Sequence, residues 1–331
     1  MVKHKKKNPK SKKILHYAPR PSNPLKSWTV KGSEAPMMLG AFLQEKLPIA
    51  LSSRDVKALL ERSLCRINGE VERFASRRLR GGERISFLIP EESEMRRVAP
   101  ERLTRNHVIY EDENCIVLNK PAGYSATPNK SGPGLPELLK SFAEEIGVKK
   151  LLLVHRLDRD TSGALLLAKD GRSLELFFQL FKERKIKKAY EAIVHGPMLS
   201  KKGVFKSFVA RRGEEGGQAF WASAKQGQEA ITEYSVIGSD SVSSLVRLFP
   251  KTGRTHQLRV HLSEAGHPIL GDGLYGRKAI LVAQKAPRRH LLHARGLIFV
   301  HPVTKRPVAV EAPLPKDFED YLPKATNHPQ S

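Results

Sequence analysis

The apolar runs of this chain are short, and their order does not alternate strand with helix. Beyond about Asn106, runs of strand length occur at Val108-Ile109-Tyr110, Cys115 to Leu118, Leu151 to Val154 and Ala164 to Ala168. They resume at Tyr190 to Val194, Ile231 to Ile237, Ser244 to Leu248 and Leu297 to Val300. Apolar residues at helical spacing intervene at Leu135 to Ile146 and Leu174 to Arg184. That order fits an α+β domain with a mixed, largely antiparallel sheet flanked by helices better than a doubly wound parallel sheet. No glycine-rich motif for cradling a nucleotide phosphate is present, so no nucleotide cofactor is expected.

A smaller unit is expected over residues 37–90. Leu39, Phe42, Leu43 and Leu47 form one helical stripe, and Val56, Leu59 and Leu60 form another behind the helix-start signal Ser52-Ser53-Arg54-Asp55. Cys65-Arg66-Ile67, the Asn68-Gly69 turn and Val71 then read as a hairpin, followed by a strand at Arg84 to Ile89. Residues 1–36 are expected to be a basic disordered arm, since Met1 to about Lys26 is dense in Lys, free of acidic residues and without the apolar stretch of a secretory signal. Residues 91–105, Glu-rich and then Arg-rich, read as a linker; a catalytic domain follows over 106–316 and a tail over 317–331.

The formal net charge of +24 and pI of about 10.1 favour a polyanionic partner, nucleic acid before a membrane surface. No apolar run approaches the roughly 20 residues that cross a bilayer. Cys65 and Cys115 are too far apart to suggest a disulfide framework or a metal-binding pair, which fits a reducing cytoplasm.

Chemistry-bearing residues concentrate in Val154-His155-Arg156-Leu157-Asp158-Arg159-Asp160-Thr161-Ser162-Gly163. By residue type alone, Asp-x-Asp-Thr-Ser-Gly is a turn whose short side chains bond nearby backbone. The same letters also satisfy the short signature of haloacid-dehalogenase-like phosphotransferases, in which Asp158 would attack phosphorus beside a magnesium ion and Asp272 could serve as a ligand. His155 and Arg156 interrupt the preceding strand, and no downstream lysine block completes that signature.

The 39–89 segment resembles the alpha-L RNA-binding domain of a small-subunit ribosomal protein and of many RNA-modifying enzymes, through Ser53-Arg54, Ile67-Asn68-Gly69 and Gly82-Glu83-Arg84-Ile85. That resemblance implies phosphate contacts from Arg54, Lys57, Arg62, Arg66, Arg73, Arg77 and Arg78. From about Tyr110 to Pro313 the chain resembles the RluA family of pseudouridine synthases. The resemblance is carried by Val117-Leu118-Asn119-Lys120-Pro121-Ala122-Gly123, His155-Arg156-Leu157-Asp158 with Thr161-Ser162-Gly163, and Lys188-Ala189-Tyr190. It continues through Thr252-Gly253-Arg254-Thr255-His256-Gln257-Leu258-Arg259, Gly271-Asp272 with Tyr275-Gly276, Leu292-His293-Ala294 and His301-Pro302.

The resemblance implies isomerisation of uridine in RNA without cofactor or metal. Asp158 would act as nucleophile or as base, Arg259 as its charge partner and Tyr190 as the active-site tyrosine. Arg156 would approach the extruded nucleotide or its vacated place, and Lys120, Arg254 and His256 would be positioning groups in or near the pocket. His256 and His261, five apart, do not share one helical face as metal ligands would. Large-subunit ribosomal RNA is the expected substrate, with transfer RNA as the alternative, and a monomer without an obligate protein partner is expected. The competing class is a catalytically silent RNA-binding assembly factor. Residues 124–149 and 211–225 are expected to be rim loops that select the site in the RNA.

Overall fold

The computed structural model describes residues 25–61, 64–89, 102–126, 134–215, 218–276, 287 and 289–323. The expected arm up to residue 24, residues 91–101 of the expected linker, Arg62 and residues 324–331 lie outside that set; the rest of that linker is no free segment, because Leu103 is buried in a core with Ile116, Leu118 and Leu139.

The first unit contains strand β1 (Leu25–Thr29), helices α1 (Leu39–Lys46) and α2 (Ser53–Glu61), and strands β2 (Cys65–Ile67), β3 (Glu70–Val71) and β4 (Arg84–Leu88). Helix α2 begins where Ser52 and Asp55 cap each other: Asp55 N donates to Ser52 Oγ at 3.2 Å and Ser52 N to Asp55 Oδ2 at 3.1 Å. Asn68 and Gly69 both have positive φ, 52° and 90°, which is the twist a two-residue hairpin needs between β2 and β3. Both helices bury their stripes, Leu39, Phe42 and Leu43 from α1 and Val56, Leu59 and Leu60 from α2, against Cys65, Ile85 and Phe87 of the sheet.

One boundary is corrected here. Leu25–Thr29 is not part of a disordered arm but pairs antiparallel with β4, Leu25 opposite Leu88 and Thr29 opposite Arg84. Trp28 stands edge-on to Phe42 at 6.3 Å, and Val30 is buried in the same core. Two apolar anchors therefore outweigh the lysine-rich context around them.

The second unit is built on an eleven-stranded sheet, in the order β11-β10-β12-β13-β9-β14-β8-β6-β5 with β15 on β14 and β7 on β8. Its strands are β5 (Val108–Glu111), β6 (Cys115–Lys120), β7 (Leu152–Leu153), β8 (Ser162–Ala168), β9 (Lys187–His195), β10 (Lys202–Glu215), β11 (Gln218–Ser223), β12 (Gln228–Ser239), β13 (Ser243–Pro250), β14 (Leu292–Val300) and β15 (Pro307–Glu311). Its helices are α3 (Leu135–Glu145), α4 (Gly171–Lys182), α5 (Gln257–Glu264) and α6 (Lys316–Glu319). Among the described pairings only β8 with β14 is parallel, as a mixed, largely antiparallel sheet requires. Leu139 and Phe142 of α3 cover Leu165 and Leu167 on one face of β8, and Phe177 of α4 covers Ala164 and Leu166 on the other.

Two further expectations are corrected. Residues 211–225 do not form a loop: most of them belong to the hairpin of β10 and β11, whose strands pair from Val209↔Ser223 to Glu215↔Gln218. Nor does a tail begin at residue 317, because Phe318 of α6 is fully buried among Leu258, Leu262, Leu291 and Leu292. No helix of the described residues is long and apolar enough to cross a membrane.

The β8–β14 contact is unusually close at Gly163, whose φ is +110° and where a Cβ would lie 2.2 Å from Ala294 O. Gly163→Ala is therefore expected to cost about 2 kcal/mol or more. A urea midpoint unchanged from the parent would show that the two strands are not held this closely.

Candidate active site

Asp158 lies in the segment between β7 and β8, held by a turn in which Thr161 N donates to the Asp158 carbonyl at 3.1 Å. The strand that follows is fully buried, so the turn rests on a rigid base. The Asp158 carboxylate stays 23% exposed, enough for a ligand to reach. Arg259 Nη1 stands 3.4 Å from Asp158 Oδ2, and His256 Nε2 stands 3.8 Å from the same oxygen.

Arg259 is itself fixed from the other side. Its Nε and Nη2 bind both oxygens of Asp272, at 2.7 and 2.9 Å, and its guanidinium lies 4.9 Å from the centre of the Tyr275 ring. Asp272 is fully buried and also accepts the backbone N–H groups of Leu274 and Tyr275, both at 3.0 Å. A planar guanidinium suits this task because two of its nitrogens can be bound rigidly while a third faces another anion.

Burial works against ionisation of Asp158, but His256, Arg259, His290 and Arg156 more than offset it, and its carboxyl is held below the ordinary value. Burial, with Arg259 beside each ring, holds both histidines at about 4. They are uncharged at neutral pH, so the permanent charges of Arg259 and Arg156 keep Asp158 ionised there.

His256 occupies the left-handed N-cap of α5, with φ 55°, a conformation uncommon outside glycine. That turn directs the imidazole toward Asp158, while Nδ1 is paired with Tyr275 Oη at 2.9 Å. Tyr190 sits in β9 opposite Leu248 and packs between the core under α3 and the core around α5. Burial, and then the charge of Asp158, raises its phenol above the ordinary value, so it remains protonated. Arg156 is exposed beside the site.

Lys120, expected near the pocket, is only 1% exposed. Its ammonium donates to the carbonyls of Pro121, Tyr124 and Arg159 at 2.9, 3.3 and 3.1 Å, one acceptor for each proton. It therefore ties the turn after β6 to the residue following Asp158 and holds the loop, not the substrate. Burial lowers its pKa to about 7, with Arg289 and Arg159 adding to the effect against Asp160 and Asp158. The unfolded chain, near 10.4, then binds more protons than the folded one between about pH 7 and about 10. Across that window the parent is expected to gain about 1 kcal/mol or more relative to Lys120→Met as pH rises. Parallel urea-unfolding profiles for the two proteins would refute this.

Arg254 points elsewhere, donating from Nε to Glu229 O at 3.0 Å. In the first unit, Lys57 and Arg78 are exposed, and Arg54 lies in α2. Arg66 donates to Gly69 O at 3.0 Å, Arg73 N to Glu72 Oε1 at 2.8 Å, and Arg77 pairs with Glu83 at 2.7 Å.

Sequence reasoning did not assign the support of Arg259 by Asp272, although Asp272 stood in a quoted motif. As a metal ligand Asp272 is already engaged, because both of its oxygens are on Arg259. Asp160 is likewise engaged by its neighbour Arg159, at 2.8 to 3.1 Å, which removes the second carboxylate a phosphotransferase would need. Asp112, Cys115 and His301 do cluster. There, however, His301 Nδ1 accepts from Val303 N and Thr304 N at 3.2 and 3.1 Å, so the proton belongs on Nε2, the nitrogen nearest Asp112.

The sequence profile of the RNA pseudouridylate synthase family matches residues 114–264, which span Asp158, Tyr190 and Arg259. An uncharacterized RNA pseudouridine synthase of Bacillus subtilis (strain 168) is 36% identical over 72% of this chain and 78% of its own length. The ribosomal large subunit pseudouridine synthase D of Pasteurella multocida (strain Pm70) is 33% identical over 88% of this chain and 91% of its own. Among solved structures, human RNA pseudouridylate synthase domain containing 4 superposes with a TM-score of 0.55 at 29% identity, covering 65% of this chain and 90% of that one. On this sequence similarity and this fold, the chain belongs to the RluA-type RNA pseudouridine synthases.

Proposed function

We propose that this enzyme converts uridines of large-subunit ribosomal RNA to pseudouridine through Asp158, without a cofactor. The observation that carries the reading is a single guanidinium, Arg259, bound rigidly by Asp272 and presenting its remaining nitrogen to a partly exposed carboxylate. In the isomerisation the bond from ribose to the base nitrogen breaks, the uracil turns, a bond to its carbon 5 forms and the carbon 5 proton leaves. The nitrogen freed from ribose takes up a proton as carbon 5 gives one up, so atoms balance without oxidant, reductant or leaving group, and the anionic group required is Asp158, kept ionised by Arg259.

Tyr190 supplies the ring against which the extruded uracil rests. Its phenol stays protonated beside an anionic Asp158, so it brings no second negative charge into the pocket. Arg156, exposed and cationic beside the site, meets the RNA where the nucleotide leaves its stack, a step that costs a few kcal/mol. The first unit is read as an alpha-L domain that adds phosphate contacts from Lys57 and Arg78, both of which point to solvent. The name of the Pasteurella relative supports ribosomal RNA as the substrate.

The test uses RNA labelled with tritium at uridine carbon 5, since the isomerisation releases that tritium to water. Release from 23S-type ribosomal RNA and not from transfer RNA is the expected result. Release from transfer RNA alone would reassign the substrate, and no release from either would return the chain to the silent assembly-factor class.

A further inference from the structure

A second buried arginine holds the turn that follows Asp158. Arg289, just before β14, is bound at Nε and Nη2 by both oxygens of Asp317 in α6, at 2.7 and 2.9 Å. Its Nη1 donates to the carbonyl of Asp160 at 3.0 Å, and to those of His290 and Leu292 at 3.1 and 3.2 Å. Nη2 also donates to Ser162 Oγ at 3.1 Å. The guanidinium lies over the Phe318 ring at 5.6 Å, and that ring is fully buried.

One side chain therefore gathers the backbone that follows Asp158 and fastens it to α6. Neighbouring contacts reinforce the seam, with Ser162 Oγ paired to His293 Nδ1 and Thr161 Oγ1 to His290 Nε2, both at 2.9 Å. Lys120 holds the same turn from the opposite side, through Arg159 O. Taken together, the turn that carries Asp158 is gripped at Arg159, Asp160, Thr161 and Ser162.

We propose that Asp317 is a positioning residue for the isomerisation, acting through Arg289 to set where Asp158 stands relative to Arg259. This rests on Asp158 being the reacting carboxylate. An arginine without its carboxylate still has donors on the loop but loses the rigid fork that fixes its own plane, and displacements near 1 Å at a reacting group can cost about a hundredfold.

The side chain of Asp317 is 45% exposed, so Asp317→Asn removes a charge without opening a cavity. Single-turnover pseudouridine formation and RNA affinity are to be measured for Asp317→Asn, Asp317→Glu and Asp158→Asn. The expected result is a roughly tenfold to hundredfold slower turnover in Asp317→Asn, unchanged RNA affinity, and substantial recovery in Asp317→Glu. Parent-like turnover in Asp317→Asn, or equal loss of turnover and affinity without recovery in Asp317→Glu, would overturn the proposal. An active Asp158→Asn would overturn the reading beneath it, an outcome distinct from either of those.

Discussion

Asp158→Asn is expected to bind RNA as tightly as the parent and to form pseudouridine on the order of 10⁴-fold more slowly, or not at all. The amide has the shape of the carboxylate, and the fold loses little by the exchange. Arg259 keeps its two bonds to Asp272, and the turn keeps its backbone bonds through Thr161 and Arg159. What disappears is the negative charge, which the proposed chemistry requires of this position. RNA affinity comes chiefly from cationic side chains elsewhere, on a chain with net charge +24, so it should not follow the loss of turnover. Tritium release under single-turnover conditions, with filter binding and thermal melting on the same samples, separates the effects. Turnover within tenfold of the parent would remove Asp158 from the mechanism.

The sequence reported buried strands best and the supports of the site worst, for physical reasons. Strand β8 is covered on both faces, so it appears as an unbroken apolar run of strand length closed off by turn residues. Strand β10 alternates exposed and half-buried residues from Lys202 to Phe208, but Val204 and Phe208 fall on the exposed face with Lys202 and Lys206, so its letters do not alternate and a strand of 14 residues goes unmarked. Helix α5 escaped notice because its buried residues include Gln257, Arg259 and His261, so no apolar stripe survives. Those polar residues are buried because each is bonded: Gln257 to Thr252 Oγ1 at 2.7 Å, His261 to Thr232 Oγ1 at 3.0 Å and Arg259 to Asp272. Asp158, Tyr190 and Arg259 were legible only through motif order, since residue type alone makes Asp158 a turn aspartate. The Arg289–Asp317 pair bridges 28 residues and has no pattern in sequence, because periodicity reports one element at a time.

Arg259→Met is expected to cost about 3 to 5 kcal/mol of stability as well as activity, because it strands Asp272 without a counter-charge. In the parent, burial would raise the carboxyl of Asp272, but Arg259 holds it well below the usual range. A depressed carboxylate contributes stability above its unfolded pKa, near 3.9, and loses it on acidification. Without Arg259 the sign is expected to reverse: only the backbone N–H groups of Leu274 and Tyr275 and the neighbouring His290 still oppose burial, the folded pKa rises above about 3.9, and the ionised form is penalised as pH increases through that value. The stability gap between Arg259→Met and the parent should therefore narrow as pH falls from about 7 toward about 4, because the parent keeps its Asp272 contribution until the pH drops through about 3.9. Replacing Asp272 by Asn in the same protein removes the stranded charge and should recover most of the lost stability at neutral pH. Activity should not return with it, because Asp158 still lacks its fixed cation and burial then favours the protonated form. Urea unfolding at pH 5 and pH 7, with tritium release at pH 7, distinguishes the two roles of Arg259. If activity returned with stability in the double variant, the arginine would be a structural strut for Asp272 and not the charge partner of Asp158.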